Sequence, residues 1–216
     1  MVSSFPPPSA DRNWHIVSRW HEFEGEARAN LLRIAAIGCF YAVELLDYHG
    51  LRIGSFEIPA IVNRPFHQMM TGLALAWALM GLVVLLLQKN RIFPAALKYG
   101  TTAGDLVFLT AVLVVASGPQ SPLVIGYFLI IVLATLRFSL GLVRFASAGA
   151  VAGYLFVLGH GKWFANPPRG VPRHQQLIVM IGLALTGVIL GQIVRRGARM
   201  AQEYADRVAA EKEDAP

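Results

Sequence analysis

QQLIVMIGLALTGVILGQIV, residues 175–194, is the stretch whose reading decides the fold. It holds twenty residues and no formal charge. As a helix rising ~1.5 Å per residue, a run of that length crosses the ~30 Å hydrocarbon core of a bilayer. It has no helix stop at its far end. Gln192-Ile193-Val194 continues into Arg195-Arg196-Gly197-Ala198-Arg199 and on to Ala210, with Gly197 the only weak point. The sequence therefore predicts a helix that leaves a membrane as a charged rod.

Working outward, five more apolar runs precede it, at residues 30–48, 66–87, 94–117, 122–140 and 142–158. Pro94 and Pro122 suit helix starts, where the missing N–H costs least. A mean hydropathy of +0.52, with 55% hydrophobic residues, is too apolar for an ordinary soluble domain. The expected fold is all-α: a polytopic, six-transmembrane-helix bundle filling residues 30–194. Residues 1–29 would form a cytoplasmic tail and an amphipathic interfacial helix, in which Trp14, Val17, Trp20 and Phe23 share a face. Residues 195–216 would form a cytoplasmic helical tail. No segment outside the spans is large enough to bury a second core. No apolar segment before Asn30 reads as a cleavable signal peptide. Convincing internal repeats are absent.

Charge sets the expected orientation. Thirteen Lys and Arg residues, among them Lys98, Arg137, Arg144, Arg195 and Arg196, fall in one alternate set of connections. Five fall in the other: Arg52, Arg64, Lys162, Arg169 and Arg173. The positive-inside rule puts the first set, and both termini, in the cytoplasm. The net charge of +6 is concentrated at span ends, where it meets anionic headgroups, so the lipid bilayer and not nucleic acid is the expected partner. The single cysteine, Cys39, allows no intrachain disulfide and speaks against a cysteine-based metal cluster.

Three groups of residues are candidates for chemistry. His49, His67, His160 and His174 all fall at the outer ends of spans, and Glu44 and Asp47 lie within about one turn of His49. Converging there, they would suit a transition metal, haem b iron or a titrating cluster; as separate side chains they suit the membrane interface. Asp105 lies near the middle of the third span and Glu44 lies within the first. Carboxylates at that depth need a partner or a proton, so they are functional candidates or interhelical ties. Gly149-x-x-x-Gly153 and Gly187-x-x-x-Gly191 allow close helix approach, within one chain or between two. On the last helix Ile193, Met200, Tyr204 and Val208 share a face among charged residues. That stripe fits a helix that pairs in a homodimer or engages a partner protein; a solvated tail anchored by arginines also fits.

The remaining candidate is the turn Ser117-Gly118-Pro119-Gln120-Ser121-Pro122-Leu123. With the preceding Asp105-Leu106-Val107-Phe108-Leu109-Thr110, it resembles the sensor region of bacterial membrane histidine kinases of the RegB/PrrB type. Those have six spans and a Gly-Gly-x-x-Asn-Pro-Phe turn after the third. The layout is also similar to six-span anchors of bacterial cyclases. The resemblance implies an inner-membrane sensory or anchoring module, with quinone as a ligand near Gly118, Gln120, Ser121 and Pro122. No phosphoacceptor-histidine, nucleotide-binding or cyclase motif occurs in residues 195–216. The expectation is therefore a sensor rather than an enzyme. A haem- or metal-holding, or purely structural, subunit of a redox complex stands as the alternative.

Overall fold

The computed structural model describes residues 9–53, 56–90, 94 and 96–213. The tail expected before Ser9 lies outside the described residues, and so do the side chains of Trp14, Val17, Trp20 and Phe23. Helix α1 (Ser9–His49) is followed by a short antiparallel hairpin, β1 (Leu51–Ile53) and β2 (Phe56–Ile58). The hairpin pairs Leu51 with Ile58 and Arg52 with Glu57. Then come α2 (Arg64–Lys89) and α3 (Leu97–Val115), two 3₁₀ turns (Gly118–Gln120 and Pro122–Val124), α4 (Ile125–Thr135), α5 (Leu140–Trp163) and α6 (Arg173–Glu213).

Local chemistry sets several of these boundaries. At the start of α2 the Asn63 side chain accepts a hydrogen bond from the Phe66 N–H, while a proline occupies the first turn, where no N–H is needed. Helix α6 runs unbroken through Gly197 to Glu213, as expected from the missing stop signal. Helix α1 is also a single rod, so the helix expected over the N-terminal polar segment is continuous with the first apolar run.

Among the described residues five helical segments are long and apolar enough to cross a membrane: Glu24–His49, Arg64–Lys89, Leu97–Val115, Leu140–Trp163 and Arg173–Tyr204. The fourth expected span is shorter. Pro122–Thr135 is apolar but ends before the run 122–140 does. Two features cut it short. At one end the chain is wound into 3₁₀ turns around Pro119 and Pro122. At the other, Phe138 takes a left-handed φ of 47°, and the Arg137 side chain is drawn into the bundle.

Helices α3, α4 and α5 make the centre, with α6 laid along α4 and α5 and α1 against α2. Leu109, Leu113, Tyr127, Ile131, Ala146 and Tyr154 are among the buried core residues. Outside, the surface is strongly apolar: Leu75, Leu79, Leu177, Ile178, Leu185 and Val188 are all more than half exposed. Added Cβ atoms on Gly149, Gly153, Gly187 and Gly191 would meet Leu106, Tyr127, Ser147 and Leu140, so the small-residue motifs serve packing within the chain. We call the end of the bundle with β1–β2 the hairpin end and the end where α6 projects the tail end.

Candidate functional site

The buried face of α1 is polar. Glu26, Asn30, Arg33 and Glu44 are buried on it, with Ala29 and Ile37 between them, while Leu31, Leu32 and Val43 point outward. The spacing of four, three and eleven residues keeps these polar groups on one helical stripe. A helix with charges inward and leucines outward suits hydrocarbon as its solvent, because only inside the bundle can the charges be paired.

Towards the tail end the pairing is complete. Arg33 holds Asp105 of α3 with two parallel bonds, Nε to Oδ1 at 2.7 Å and Nη2 to Oδ2 at 2.9 Å. Arg33 Nη1 donates to Asn30 Oδ1, and Asn30 Nδ2 donates to the Gly81 carbonyl at 2.9 Å, which ties in α2. The Trp77 indole N–H donates to Asp105 Oδ1 at 2.8 Å. Two turns along α1, Arg137 Nη2 donates to Glu26 Oε1 at 2.7 Å, and Arg137 Nη1 donates to the Thr102 hydroxyl at 2.6 Å. Arg137 Nε lies 2.5 Å from Glu26 Oε2 as an ion pair, but without hydrogen-bond alignment. Both pairs are nearly inaccessible, with no side chain more than 4% exposed. Two arginines and two carboxylates thus neutralise one another and join α1, α2, α3 and the α4–α5 turn. Gly25 permits this approach, since a Cβ there would collide with the Leu136 carbonyl oxygen.

Towards the hairpin end the stripe opens. Glu44 accepts from, or shares a proton with, His67 Nδ1 at 2.9 Å. The His67 ring stacks on Tyr48 at 3.9 Å between centroids, and His49 meets Tyr48 edge-on. Beneath Glu44 lies a cavity of about 480 Å³ between α1, α2, α3 and the start of α4. Tyr41, Phe66 and Trp77 supply aromatic walls, Glu44 and Asp47 lie at one side, and Ser121 and Pro122 lie at the other. Ser121 is buried, and its Oγ accepts from the Leu123 N–H at 3.2 Å. Among the described residues its own hydrogen has no acceptor, so a ligand in the cavity can receive it. A larger concavity of about 940 Å³ between α2, α3 and α5 is open and almost wholly apolar, which suits lipid chains better than a specific ligand.

The sequence candidates divide accordingly. Glu44, Ser121 and Pro122 come together at one cavity, with His67 bonded to Glu44. Gly118 and Gln120 serve the turn. Gly118 has a φ of 61°, which only glycine adopts freely, and Gln120 Nε2 donates to the Gly170 carbonyl at 2.9 Å. Arg169 from the same α5–α6 loop donates to the Ala116 carbonyl. Of the four histidines, His49 and His67 are neighbours, 6.5 Å between ring centroids. His160 lies between the rings of Phe156 and Phe164, and His174 is exposed at the start of α6. Among the described residues no group of three or more His, Cys, Asp or Glu side chains is placed to hold a metal ion. Asp105 is an interhelical tie.

Sequence reasoning missed Arg33, Glu26, Arg137 and Trp77. Arg33 is the one basic residue left over when the loop charges are counted, and Glu26, Asn30 and Arg33 recur at helical spacing. Both signals were in the sequence. The chain matches no family model, no curated protein and no solved structure.

Proposed function

We propose that this chain is an integral-membrane sensory or anchoring module of a bacterial signalling system. On this reading it spans the inner membrane six times, α4 included as a short span, with both termini cytoplasmic. Its ligand site is the cavity between Glu44, which His67 bonds from outside, and Ser121–Pro122. The observation that carries the reading is that cavity: apolar and aromatic walls, with a few hydrogen-bonding groups at its edges, in a bundle whose other buried charges, among the described residues, sit in ion pairs. A quinone is the first candidate. Its flat ring suits the Tyr41, Phe66 and Trp77 walls, and a carbonyl oxygen is an acceptor for the Ser121 hydroxyl.

The route to the output is contiguous. A ligand in the cavity touches Trp77, which is bonded to Asp105 of α3; α3 packs on α5, and α5 on α6. Helix α6 continues past the bundle as far as Glu213, with Met200 and Tyr204 exposed. Such an unpartnered stripe suits a dimer mate or a partner protein. The reading assigns the chain no catalytic step.

The test is a titration of short-chain ubiquinone into the protein in lipid nanodiscs, read by thermal stability and by a spin label at position 201 in a Cys39→Ser background. A saturable change in both, lost in Ser121→Ala with Glu44→Gln, is the expected result. No change in either removes the quinone-sensor reading. A Soret band in the purified protein would overturn it in favour of a haem subunit.

A further inference from the structure

Helices α5 and α6 run antiparallel, which brings the start of α5 beside the outgoing part of α6. Between them lies a groove of about 600 Å³. Its tail end is lined by Arg144 of α5 and by Gln192 and Arg195 of α6. Ala148 and Val151 of α5 and Ala184 and Val188 of α6 line it further on, over a floor where Ser147 meets Gly187. From Arg195 back to Ala184 the groove follows α6 for ~16 Å at the helical rise of ~1.5 Å per residue.

The charge in this groove is unbalanced. Among the described residues no acidic side chain lines it, and neither Arg144 nor Arg195 makes an ion pair. This contrasts with Arg33 and Arg137, each of which has a carboxylate partner. Two guanidinium groups lining one mouth repel each other unless an anion lies between them, and a phosphate accepts bonds from both. The groove beyond them has alanine and valine walls, as an acyl chain requires and a free anion does not. A second copy of the chain is a poorer occupant, because a parallel two-fold pairing through this face would set the same arginines of both copies against one another.

We propose that the α5–α6 groove binds an anionic phospholipid, its phosphate held by Arg144 and Arg195 and one acyl chain lying along Ala148, Val151, Ala184 and Val188. The site is independent of the Glu44–Ser121 cavity, which lies at the other end of the bundle and is lined by other helices.

The test uses the full chain in detergent, with phosphatidylglycerol and phosphatidylcholine as probes and native mass spectrometry as the readout. Phosphatidylglycerol should bind in preference. Replacing both arginines (Arg144→Gln with Arg195→Gln) should weaken it roughly 30-fold, taking ~1 kcal/mol for each charge near the headgroups. Ala148→Leu, which narrows the groove and keeps both charges, should weaken it too. Replacing Arg196 and Arg199, which do not line the groove, should change little. Equal binding of the two lipids would overturn the proposal. So would an equal loss in the Arg196/Arg199 variant, competition by inorganic phosphate at similar concentration, or chain dimers crosslinked through position 191 with lipid binding unchanged.

Discussion

The two halves of the polar face of α1 handle charge in opposite ways. In the tail-end half, Arg33, Asp105, Glu26 and Arg137 are buried, paired and surrounded by further donors and acceptors. In the hairpin-end half, Glu44 has a single histidine partner that is 19% exposed, and a cavity adjoins the pair. A closed network holds helices in register and has no room for a ligand. A lone pair beside an aromatic-walled cavity can exchange its partner for one. The difference separates a structural seam from a working site along one helix, and Trp77 is the residue that belongs to both.

The sharpest way to break this contrast is to cut the seam. Arg33→Met leaves the Asp105 carboxylate buried without its counter-charge and should cost ~3–5 kcal/mol in unfolding free energy. Denaturant unfolding in detergent micelles measures it. The double change Arg33→Met with Asp105→Leu should recover much of that loss, because the penalty comes from the orphaned charge. Next in size is Gly25→Ala. Its Cβ would strike the Leu136 carbonyl and push α1 from the α4–α5 turn, at ~1–3 kcal/mol in the same assay. Trp77→Phe removes one donor from Asp105 and keeps an aromatic wall; a loss of ~1 kcal/mol should appear as a small fall in melting temperature. Smallest is Glu44→Gln, which should move stability by about 1 kcal/mol or less, because His67 reaches solvent. If Glu44→Gln proved as damaging as Arg33→Met, the two halves of α1 would be one structural network and the contrast would fail.

Much of this was legible in the sequence, and the part that was not has a common cause. The long apolar helices follow from run length alone, and the continuity of α6 follows from the absence of any stop after Val194. Asp105 stood out as a carboxylate needing a partner, and Arg33 is the residue bonded to it. Its partner was harder to find, because Arg33 is 72 residues away and local spacing says nothing about which helices pack together. Arg137 looked like a topology-setting loop charge, yet its side chain turns inward to Glu26, 111 residues away in the chain. The same inward pull ends α4 before the apolar run does. At the candidate site, the turn residues and Glu44 were each visible in the sequence, but their meeting at one cavity depends on how α1, α2 and the start of α4 pack together.

The central claim is that the hairpin-end cavity binds a ligand and reports it through Trp77. Its most direct test is Trp77 fluorescence in a chain whose other tryptophans, Trp14, Trp20 and Trp163, are replaced by phenylalanine. Titrated with short-chain ubiquinone in nanodiscs, Trp77 should show saturable quenching that disappears when Ala74→Phe fills the cavity. Quenching that never saturates, or that is the same in the filled variant, would contradict the claim.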